Sequence, residues 1–462
     1  MNMETLKIPR ILLSAPKSGS GKTLISIALM NAFAEAGKKV SAFKCGPDYI
    51  DPMFHKKVLG IPSKNLDLFF ADEKLVKSLF FSDNTSDISI IEGVMGLYDG
   101  IGATDEASAY HLASVLGAPV ILVVDSKGMG RSLLAEIAGF LSLDKMHLIK
   151  GVILNNMSES FYSQIKPVIE SELAVQVLGF FPVQKSIKIE SRYLGLKLPD
   201  EISGIKAMVQ KASTELIKTV DIKRIEKIAE EAQAAAYVPL ENLLPKPEKP
   251  KLKTPLRIAL ARDEAFCFYY DDNIKLLEKF GAEIVEFSPL RDRKLPPEIS
   301  GLILGGGYPE LFAEKLAANQ SMKEAVLAAI NAGMPSIAEC GGFMYLHEFL
   351  QTEDGKLHSM AGAVKGTCTF KNKLVRFGYV SISGKQPGFL EPGTAIKGHE
   401  FHYFDSTDNG SGCTAVKPSG VKWDCVHCGE NHWWGFPHLY FLSNPEFAQR
   451  FLAACASAGK GE

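Results

Sequence analysis

The residues of this sequence with the clearest chemical signature lie in segment 11–23, which reads ILLSAPKSGSGKT. An apolar run leads into a glycine-containing turn and then into an apolar-striped helical pattern. Gly19 and Gly21 allow backbone N–H groups to point toward one place, and the N-terminus of the helix adds partial positive charge. We expect Lys22 to reach the β- and γ-phosphates of a nucleotide and the Thr23 hydroxyl to bind Mg²⁺.

This segment departs from the usual phosphate-binding loop because Pro16 stands where the motif has its first glycine. A tight strand-to-helix turn with an exposed lysine is the alternative. The order of strand, turn and helix favours the phosphate site. The sequence therefore predicts a nucleotide site formed by Ser18, Gly19, Ser20, Gly21, Lys22 and Thr23, with Asn155 at the end of a later strand as a candidate for reading the base.

A second loop, which follows an apolar run at 40–44, carries one cation and two carboxylates: Lys44, Asp48 and Asp51. A lysine beside a nucleotide steadies the phosphate that is transferred, and a carboxylate commonly holds Mg²⁺. We therefore count all three as candidate catalytic residues and Asp48 also as a candidate metal ligand. The alternative is that Pro47, Asp48, Asp51 and Pro52 only form turns.

A third loop, segment 91–100 with the sequence IEGVMGLYDG, follows a strongly apolar run. Glu92 is placed directly at the end of that run, and Gly93 and Gly96 permit close approach of a ligand. Three charged loops favour one shared site, with Thr23, Asp48 and Glu92 as its candidate metal ligands. Asp125 also ends an apolar run, and a structural role is the alternative for it.

A different chemistry is indicated by segment 336–346, SIAECGGFMYL, in which Cys340 lies between an apolar run and a helical stretch. A thiol on such a sharp turn faces outward, and we expect the following helix to lower its pKa. Neighbouring backbone N–H groups can form an oxyanion hole, and Gly306 and Gly307 supply another N–H-rich turn upstream. A buried structural cysteine is the alternative.

A nucleophilic thiol needs a base, and His438 lies at the end of a short apolar segment near the C-terminus. His399 and His402 compete for this role, although core or substrate-facing positions suit them better. We predict that Cys340 and His438 act together.

The loops can form sites only if strands bring them to one edge of a sheet. Apolar runs at 10–13, 40–44, 88–91, 120–124 and 151–154 alternate with helical patterns, as in a parallel α/β sheet. Ligands of open α/β folds bind at the carboxyl edge of the strands, where all of these loops are expected.

Helical periodicity continues from 205 to about 236, and a stretch rich in proline and lysine follows. Its prolines exclude a helix interior or a central strand, so it is a linker. A second α/β pattern then starts, with apolar runs at 256–261, 282–287, 301–304 and 336–338. We predict a first domain at 1–237, a linker at 238–255 and a second domain at 256–462.

Length and composition limit the classes of protein. A chain of 462 residues favours two or three domains. A formal net charge of −2 lacks the basic surplus of a nucleic-acid-binding protein, and no apolar run approaches the roughly 18–20 residues of a membrane span. The eight cysteines are scattered and no signal-peptide pattern precedes them, so we expect a cytoplasmic protein with reduced thiols.

The motifs taken together resemble the cobyrinate a,c-diamide synthase family, and the resemblance spans nearly the whole chain. The stretches FKCGPDYID, EGVMGLYD, GGGYPE, ECGGFMYL and GHEFHY occur in chain order. The family joins a dethiobiotin-synthetase-like ATPase domain to a class I glutamine amidotransferase domain. The resemblance therefore implies an α/β P-loop synthetase domain with a parallel sheet, followed by a second α/β domain that supplies ammonia.

The resemblance also implies roles for particular residues. Cys340 attacks glutamine with His438 as the base, while ATP phosphorylates a carboxylate that ammonia then converts to an amide. Asp48, Tyr49, Asp51, Glu92 and Asp99 match the synthetase motifs, so metal, phosphate and substrate are their implied ligands, with Tyr49 and Asp99 on the substrate. L-glutamine and cobyrinate or a related tetrapyrrole are the implied small-molecule partners, and a homodimer is left open.

Two features depart from the class I pattern. Tyr440 occupies the position two residues after the histidine, where a glutamate is usual, so a Cys–His dyad is implied. Cys425 and Cys428 form one C-x-x-C, and Cys413 and His432 flank it. Three thiols and an imidazole could bind zinc, but the irregular spacing favours packed or surface thiols.

Alternatives remain open at this point. The same reaction on nickel sirohydrochlorin or hydrogenobyrinate is equally compatible with the substrate loops. A nucleotide-switch ATPase would need only the first domain, and Cys340 argues against it because a switch has no use for ammonia. A non-catalytic amidotransferase domain is disfavoured because Cys340 and His438 are both present.

Overall fold

The structure is a computed structural model that describes residues 3–184, 191–192, 195–196, 202–246 and 255–458. The chain forms two compact units, Met1–Leu243 and Leu244–Glu462. Residues 247–254 of the predicted linker lie outside the described residues. Within the described part of the chain no helix combines the length and the apolar character needed to cross a membrane.

The first unit alternates strands with helices. Its strands are β1 (Glu4–Leu6), β2 (Arg10–Ser14), β3 (Val40–Cys45), β4 (Ser63–Leu66), β5 (Ile88–Glu92), β6 (Val120–Asp125), β7 (Ile149–Asn155), β8 (Gln176–Phe181), β9 (Ser191–Arg192), β10 (Gly195–Leu196) and β11 (Ala235–Tyr237). Its helices are α1 (Lys22–Glu35), α2 (Ile50–Leu59), α3 (Glu73–Phe81), α4 (Ala109–Leu116), α5 (Ser132–Leu143), α6 (Glu159–Glu172), α7 (Ile205–Thr219) and α8 (Ile222–Glu230).

A seven-stranded sheet in the order β4-β3-β5-β2-β6-β7-β8 organises this unit. All of its pairings are parallel. Every residue of β2 and β5 is buried, as expected for strands covered on both faces. The carboxyl ends of β2, β3, β5 and β7 therefore face one edge of the sheet, where the loops of interest begin.

The five strands predicted for this unit are confirmed, each with one or a few additional residues. Strands β4 and β8 were not predicted, and β4 reads SKNL, which is too polar to stand out. The prediction of continuous helical structure at 205–236 is wrong in detail. Val220 is extended and bridges to Gly179, Asp221 caps α8, and β11 pairs with β1.

Buried Arg10, at the start of β2, ties distant parts of the first unit together. Its guanidinium donates to the carbonyl oxygens of Leu116 at 2.8 Å, Ile8 at 2.8 Å and Gln233 at 2.7 Å. The guanidinium carbon lies 5.3 Å from the ring centre of Phe81. The charge is compatible with burial because its donors have partners.

The last residues of this unit pack against α3. The Ser78 hydroxyl donates to the carbonyl oxygen of Val238 at 2.5 Å, and the Leu240 amide donates to the Ser82 hydroxyl at 3.0 Å. A short 3₁₀ turn covers Leu240–Asn242. These residues were predicted as the start of the linker, and here they contact the first unit.

The second unit combines a parallel core with antiparallel additions. Its strands are β12 (Leu256–Ala261), β13 (Ala282–Phe287), β14 (Gly301–Leu304), β15 (Ser336–Glu339), β16 (His347–Gln351), β17 (Leu357–Ser359), β18 (Val364–Phe370), β19 (Arg376–Gly384), β20 (Ala395–His402), β21 (Phe404–Ser406), β22 (Cys413–Val416), β23 (Lys422–Cys425), β24 (His427–Gly429), β25 (His432–Gly435) and β26 (His438–Leu439). Its helices are α9 (Asp271–Lys279), α10 (Ala313–Ala318), α11 (Gln320–Asn331), α12 (Gly341–Leu346) and α13 (Pro445–Ala458).

A six-stranded sheet in the order β13-β12-β14-β15-β25-β24 is parallel except at its last pair. Its four predicted strands are confirmed, three of them with the predicted bounds. Cys340 directly follows β15, which lies inside this sheet.

The remaining strands form two smaller sheets, which the sequence did not predict. One is antiparallel, in the order β23-β22-β19-β20-β26, and the other has the order β17-β16-β18-β21. Strand β26 pairs with β20, so that His438 lies opposite His399. This pairing fixes the position of His438.

Candidate functional site

The phosphate-binding loop of the first unit begins at the carboxyl end of β2. Gly19 and Gly21 have φ values of 79° and 90°, and α1 starts at Lys22 with Gly21 at its N-cap. The left-handed conformation needs glycine at these two positions. Ser20 is buried and its hydroxyl donates to the Lys17 carbonyl oxygen at 3.0 Å. Ser18 and Gly19 are exposed at the tip of the loop.

Asn155, at the end of β7, contacts this loop from the side. Its amide nitrogen donates to the Ser20 carbonyl oxygen at 2.8 Å. A Cβ atom at Gly21 would lie 2.2 Å from that nitrogen. Asn155 therefore supports the loop, and its predicted contact with a nucleotide base stays a prediction.

Lys22 folds back over the loop. Its ammonium group donates to the carbonyl oxygens of Lys17 at 3.2 Å and Met95 at 2.5 Å. Burial, followed by the nearby charge of Lys44, lowers the pKa of Lys22 to about 8. An anion such as phosphate would stabilise its charged form.

Glu92 is the centre of a buried cluster. The Thr23 hydroxyl donates to its Oε1 at 2.7 Å, and the Lys44 ammonium lies 3.3 Å from the same oxygen. Its Oε2 lies 3.3 Å from Nε2 of His55, whose Nδ1 is 2.9 Å from the Ser63 hydroxyl. Burial alone would raise the pKa of Glu92, but Lys44 and His55 outweigh it and hold the pKa well below its usual value.

Lys44 also contacts Asp51, at 2.5 Å between Nζ and Oδ2. Burial opposes the charge on Lys44, but Asp51, Glu92 and Asp48 raise its pKa above the usual value. Burial, together with the charges of Asp48 and Glu92, raises the pKa of Asp51. Carboxylates thus compete for one cation here, so added positive charge would stabilise the cluster.

The other predicted residues of the first unit take supporting positions. Asp48 accepts hydrogen bonds from the backbone amides of Ile50 at 2.7 Å and Asp51 at 3.3 Å, at the start of α2. Half-buried Tyr49 is the N-cap of that helix. Exposed Asp99 accepts from the Gly96 amide at 2.7 Å. Asp125 accepts from the Asn156 side chain at 2.8 Å, as its structural alternative suggested.

The residues predicted to bind Mg²⁺ were Thr23, Asp48 and Glu92. Thr23 and Glu92 are brought together, and the surplus of carboxylates around Lys44 fits a divalent cation. No three His, Cys, Asp or Glu side chains among the described residues are arranged to bind a metal by themselves. Mg²⁺ in nucleotide sites commonly takes only one or two carboxylates besides phosphate oxygens and water, so the residues present fit such an ion.

Cys340 occupies a strained turn in the second unit, with φ of 45° and ψ of −102°. Its amide donates to the Gly435 carbonyl oxygen at 2.8 Å. A Cβ atom at Gly342 would lie 2.0 Å from the Leu304 carbonyl oxygen, so glycine is required for the chain to turn there. This is the geometry of a nucleophile elbow, as predicted.

The glycine loop after β14 contacts both Cys340's turn and His438. A Cβ atom at Gly341 would lie 3.0 Å from the backbone nitrogen of Gly307. A Cβ atom at Gly306 would lie 2.2 Å from Cε1 of His438. The structure therefore brings the predicted residues Cys340, His438, Gly306 and Gly307 into one neighbourhood.

The pKa of the Cys340 thiol differs from what the sequence led us to expect. We predicted that the helix lowers the pKa of the thiol. Instead burial, followed by the charges of Glu310 and Glu400, raises it, and α12 has only six residues to oppose this. Burial, with His399 and His402 nearby, lowers the pKa of His438 to about 3, so its imidazole is neutral in the free protein.

The competing histidines have other neighbours. His399 lies opposite His438 in the sheet, and burial lowers its pKa to about 4. His402 contacts Glu400 at 2.9 Å and stacks on Phe436 at 4.0 Å between ring centres. The ring of His438 lies against the Gly306 turn.

Two family models match successive parts of this chain. Residues 11–196 match the CobQ/CobB/MinD/ParA nucleotide binding domain, and residues 257–445 match the CobB/CobQ-like glutamine amidotransferase domain. A protein of Picrophilus torridus named cobyrinate a,c-diamide synthase is 40% identical over 457 residues, covering 97% of this chain and 99% of its own. One of Clostridium tetani with the same name is 38% identical over 449 residues, covering 96% and 99%.

The chain belongs to the cobyrinate a,c-diamide synthase family. The resemblance found in the motifs is therefore confirmed. The predicted fold class is confirmed as well, with a nucleotide-binding α/β domain followed by an α/β glutamine amidotransferase domain. So is the prediction of an enzyme, because the relatives of this family are named as synthases.

Near Cys340 and His438, Tyr440 has a structural role. Its hydroxyl donates to Asp272 at 3.2 Å, and the side chain is buried. Another carboxyl group lies near the histidine: Oε2 of Glu339 is 3.8 Å from Nδ1 of His438. Glu339 was not predicted as a site residue, although a glutamate at the end of a buried strand and next to the cysteine was a usable signal.

His55 was also missed as a site residue. It lies four positions after Asp51 on α2, so the two side chains share a face of that helix. That spacing was the signal that could have placed it beside Glu92.

The cysteine cluster of the second unit is packed inside strands. The Cys413 and Cys428 sulfur atoms are 3.7 Å apart, and Cys413 lies opposite Cys425 in the sheet. All three side chains are buried. Among the described residues, no group of three or more His, Cys, Asp or Glu side chains is arranged to hold a metal ion.

Proposed function

We propose that this protein uses ATP and glutamine to amidate the a and c carboxylates of cobyrinate, giving cobyrinate a,c-diamide in cobalamin biosynthesis. The name of relatives that match nearly the whole chain supports the substrate. The observation that carries the reaction is that one chain holds both the Lys22–Thr23–Glu92 cluster and the Cys340 turn beside His438. The Lys22–Thr23–Glu92 cluster activates the substrate carboxylate, and the Cys340 turn supplies ammonia.

The glutaminase step starts with proton transfer. His438 takes the proton of the Cys340 thiol while the sulfur attacks the glutamine amide carbon. The collapsing intermediate takes that proton on its nitrogen and releases ammonia, leaving a thioester that water hydrolyses to glutamate. Backbone N–H groups of Gly307 and Gly341 are the candidates for stabilising the oxyanion, and Gly306 and Gly307 leave room for glutamine.

The synthetase step makes a carboxylate reactive. Its oxygen attacks the γ-phosphorus of ATP, ADP leaves, and ammonia then displaces phosphate from the acyl carbon. The N–H groups of residues 18–23 and the Lys22 ammonium bind the phosphates, as the loop geometry favours. Lys44, which pairs with Asp51, offsets the negative charge of Glu92. Tyr49 and Asp99 are proposed to contact the tetrapyrrole.

Thr23, Asp48 and Glu92 are proposed to hold Mg²⁺, which would neutralise phosphate charge when bound. We further propose a cytoplasmic enzyme with domains at 1–237 and 256–462 joined by a linker at 238–255.

Mass spectrometry of tetrapyrroles incubated with the purified protein, Mg-ATP and glutamine tests this function. Each conversion of a carboxylic acid to a carboxamide replaces O–H by N–H₂, so the mass counts the amidations. We expect cobyrinate to gain two amides. Preference for nickel sirohydrochlorin or hydrogenobyrinate would move the substrate assignment, whereas ATP hydrolysis without amidation of any of them would favour the nucleotide-switch alternative.

A further inference from the structure

Glu339 holds the segment that carries His438. It is the last residue of β15, and 8% of the residue is exposed. Its Oε1 accepts a hydrogen bond from the Leu439 amide at 3.2 Å, while its Oε2 lies 3.8 Å from Nδ1 of His438. One carboxyl group thus contacts two consecutive residues of β26.

A histidine that removes a thiol proton through Nε2 must carry its own proton on Nδ1. A carboxylate next to Nδ1 fixes that tautomer, orients the ring and stabilises the imidazolium that forms. Tyr440 cannot do this, because its hydroxyl is a donor to Asp272. Glu400 is also buried nearby, but its Oε2 contacts His402 at 2.9 Å.

The surroundings of Glu339 make the ionisation of its carboxyl group depend on the charge of His438. Burial raises the pKa of Glu339 to about 8, and the bond from the Leu439 amide only partly offsets this. Its other titratable neighbours are Tyr269 and Cys340, both uncharged at neutral pH because their own pKa values are raised by burial. His438 in turn faces His399 and His402 from β20. An imidazolium at His438 is the partner that would favour ionised Glu339.

Resting on the glutaminase function proposed above, we propose that Glu339 is the positioning residue of His438 and takes the place of the carboxylate missing at position 440. When His438 accepts the Cys340 proton at Nε2, its Nδ1–H donates to ionised Glu339. The proton returns from Nε2 to the departing ammonia, so Glu339 neither gains nor loses a proton in the cycle.

Glu339→Gln tests this assignment, because glutamine keeps the shape and an acceptor for the Leu439 amide but has no charge. We expect kcat for glutamine hydrolysis to fall by about 10²- to 10⁴-fold with little change in KM. The rise of kcat/KM as pH increases through the ionisation of Glu339 should also disappear. Ammonia-driven amidation should be unchanged, since it does not use His438.

Glu348→Gln is the matched control. Glu348 lies in the same unit, accepts from the Gly366 amide at 2.8 Å and pairs with Lys365 at 3.1 Å on the surface. It should retain wild-type glutaminase rate and pH profile. Wild-type values in Glu339→Gln would overturn the assignment.

Glu339→Asp tests the same assignment if Glu339→Gln does not fold. It keeps a carboxylate on a shorter side chain, so we expect a reduced kcat with the pH-dependent rise preserved. Loss of that rise in a folded Glu339→Asp, with ammonia-driven amidation intact, would overturn the proposal. If wild-type protein hydrolyses no glutamine at any pH, the proposed function has failed, and this is distinguishable from wild-type activity that is insensitive to Glu339.

Discussion

Lys22 and Lys44 are both buried in the first unit, but their neighbours differ. Lys44 contacts two carboxylates, which keep its pKa high. Lys22 has two carbonyl oxygens as its hydrogen-bond partners, and its pKa is lowered to about 8. Carbonyl groups offset only part of the cost of burying a charge. Lys22 is therefore the cation that gains most from an arriving phosphate.

The affinity for ATP should depend on pH through Lys22. Phosphate binds the protonated form, and this form is lost in the free protein as pH rises through about 8. We predict that affinity changes little just below that pH and falls by up to about tenfold per pH unit above it, since one proton must then be taken up. Fluorescence anisotropy with a labelled ATP analogue measures this.

Lys22→Ala is the control for the pH dependence. It should bind weakly at every pH and show no such fall. A wild-type affinity that stays constant well above the pKa, or the same fall in Lys22→Ala, would assign the effect to another group.

At the scale of single residues, the site residues that could be predicted belong to motifs that begin at the end of a strand. Lys22, Thr23, Glu92 and Cys340 are such residues. The pKa of Cys340 was predicted in the wrong direction, because burial and the charges of Glu310 and Glu400 come from residues far apart in the chain. Sequence spacing says little about such long-range surroundings.

At the scale of elements, the phosphate-binding loop depends on how β7 supports the turn before α1. Gly21 and Gly19 both have positive φ, but only Gly21 has another side chain within reach of a Cβ atom. An alanine at either position costs about 1–2 kcal/mol for the left-handed conformation. At Gly21 it must also displace Asn155.

We predict that Gly19→Ala lowers ATP affinity by about tenfold and that Gly21→Ala lowers it considerably more, since each 1.4 kcal/mol corresponds to about a factor of ten. Isothermal titration calorimetry provides both values. Adding Asn155→Ala to Gly21→Ala should recover part of the loss. Equal affinities for the two glycine variants would contradict the close packing of loop and strand.

Arg10 donates hydrogen bonds to three backbone carbonyl groups, and its removal should be costly. Arg10→Met leaves the carbonyl oxygens of Ile8, Leu116 and Gln233 without this donor. Because an unsatisfied buried polar group costs about 1–3 kcal/mol, we expect the free energy of unfolding of the first unit to fall by at least about 2 kcal/mol. Urea denaturation monitored by a probe in that unit measures it.

Arg131→Met is the comparison for Arg10→Met. Arg131 forms a surface ion pair with Glu172 at 2.7 Å, and its side chain is 70% exposed. Such pairs contribute about 0–1 kcal/mol. Similar losses for the two variants would show that the buried hydrogen bonds of Arg10 are not what stabilises the unit.

The elements that could be predicted are those with continuous apolar runs, namely the parallel strands of both units. Strand β4 escaped because Ser63–Leu66 is mostly polar. The antiparallel sheet escaped because its order joins strands far apart in sequence, as when His438 of β26 lies opposite His399 of β20. Helices α7 and α8 merged in the prediction because no proline or glycine separates them, although Asp221 caps the second.

At the scale of the whole molecule, the proposed function combines glutamine hydrolysis with carboxylate amidation. Ammonia is the one compound that the first reaction produces and the second consumes. Lys22→Ala should abolish amidation with either glutamine or ammonia, because both need the acyl phosphate. Product analysis by mass spectrometry measures this, with glutaminase activity as the control for an intact second unit. Ammonia-driven amidation at the normal rate in Lys22→Ala would refute the role assigned to the loop.

The most direct test of the account is the amidation of cobyrinate by Cys340→Ser, with glutamine and with ammonium as alternative nitrogen sources. The account predicts that the glutamine-driven product disappears while the ammonium-driven diamide forms at close to the wild-type rate, since the phosphate-binding loop and the Glu92 cluster are unchanged. Diamide formation from glutamine without this thiol, or loss of product from both nitrogen sources in a folded protein, would contradict it.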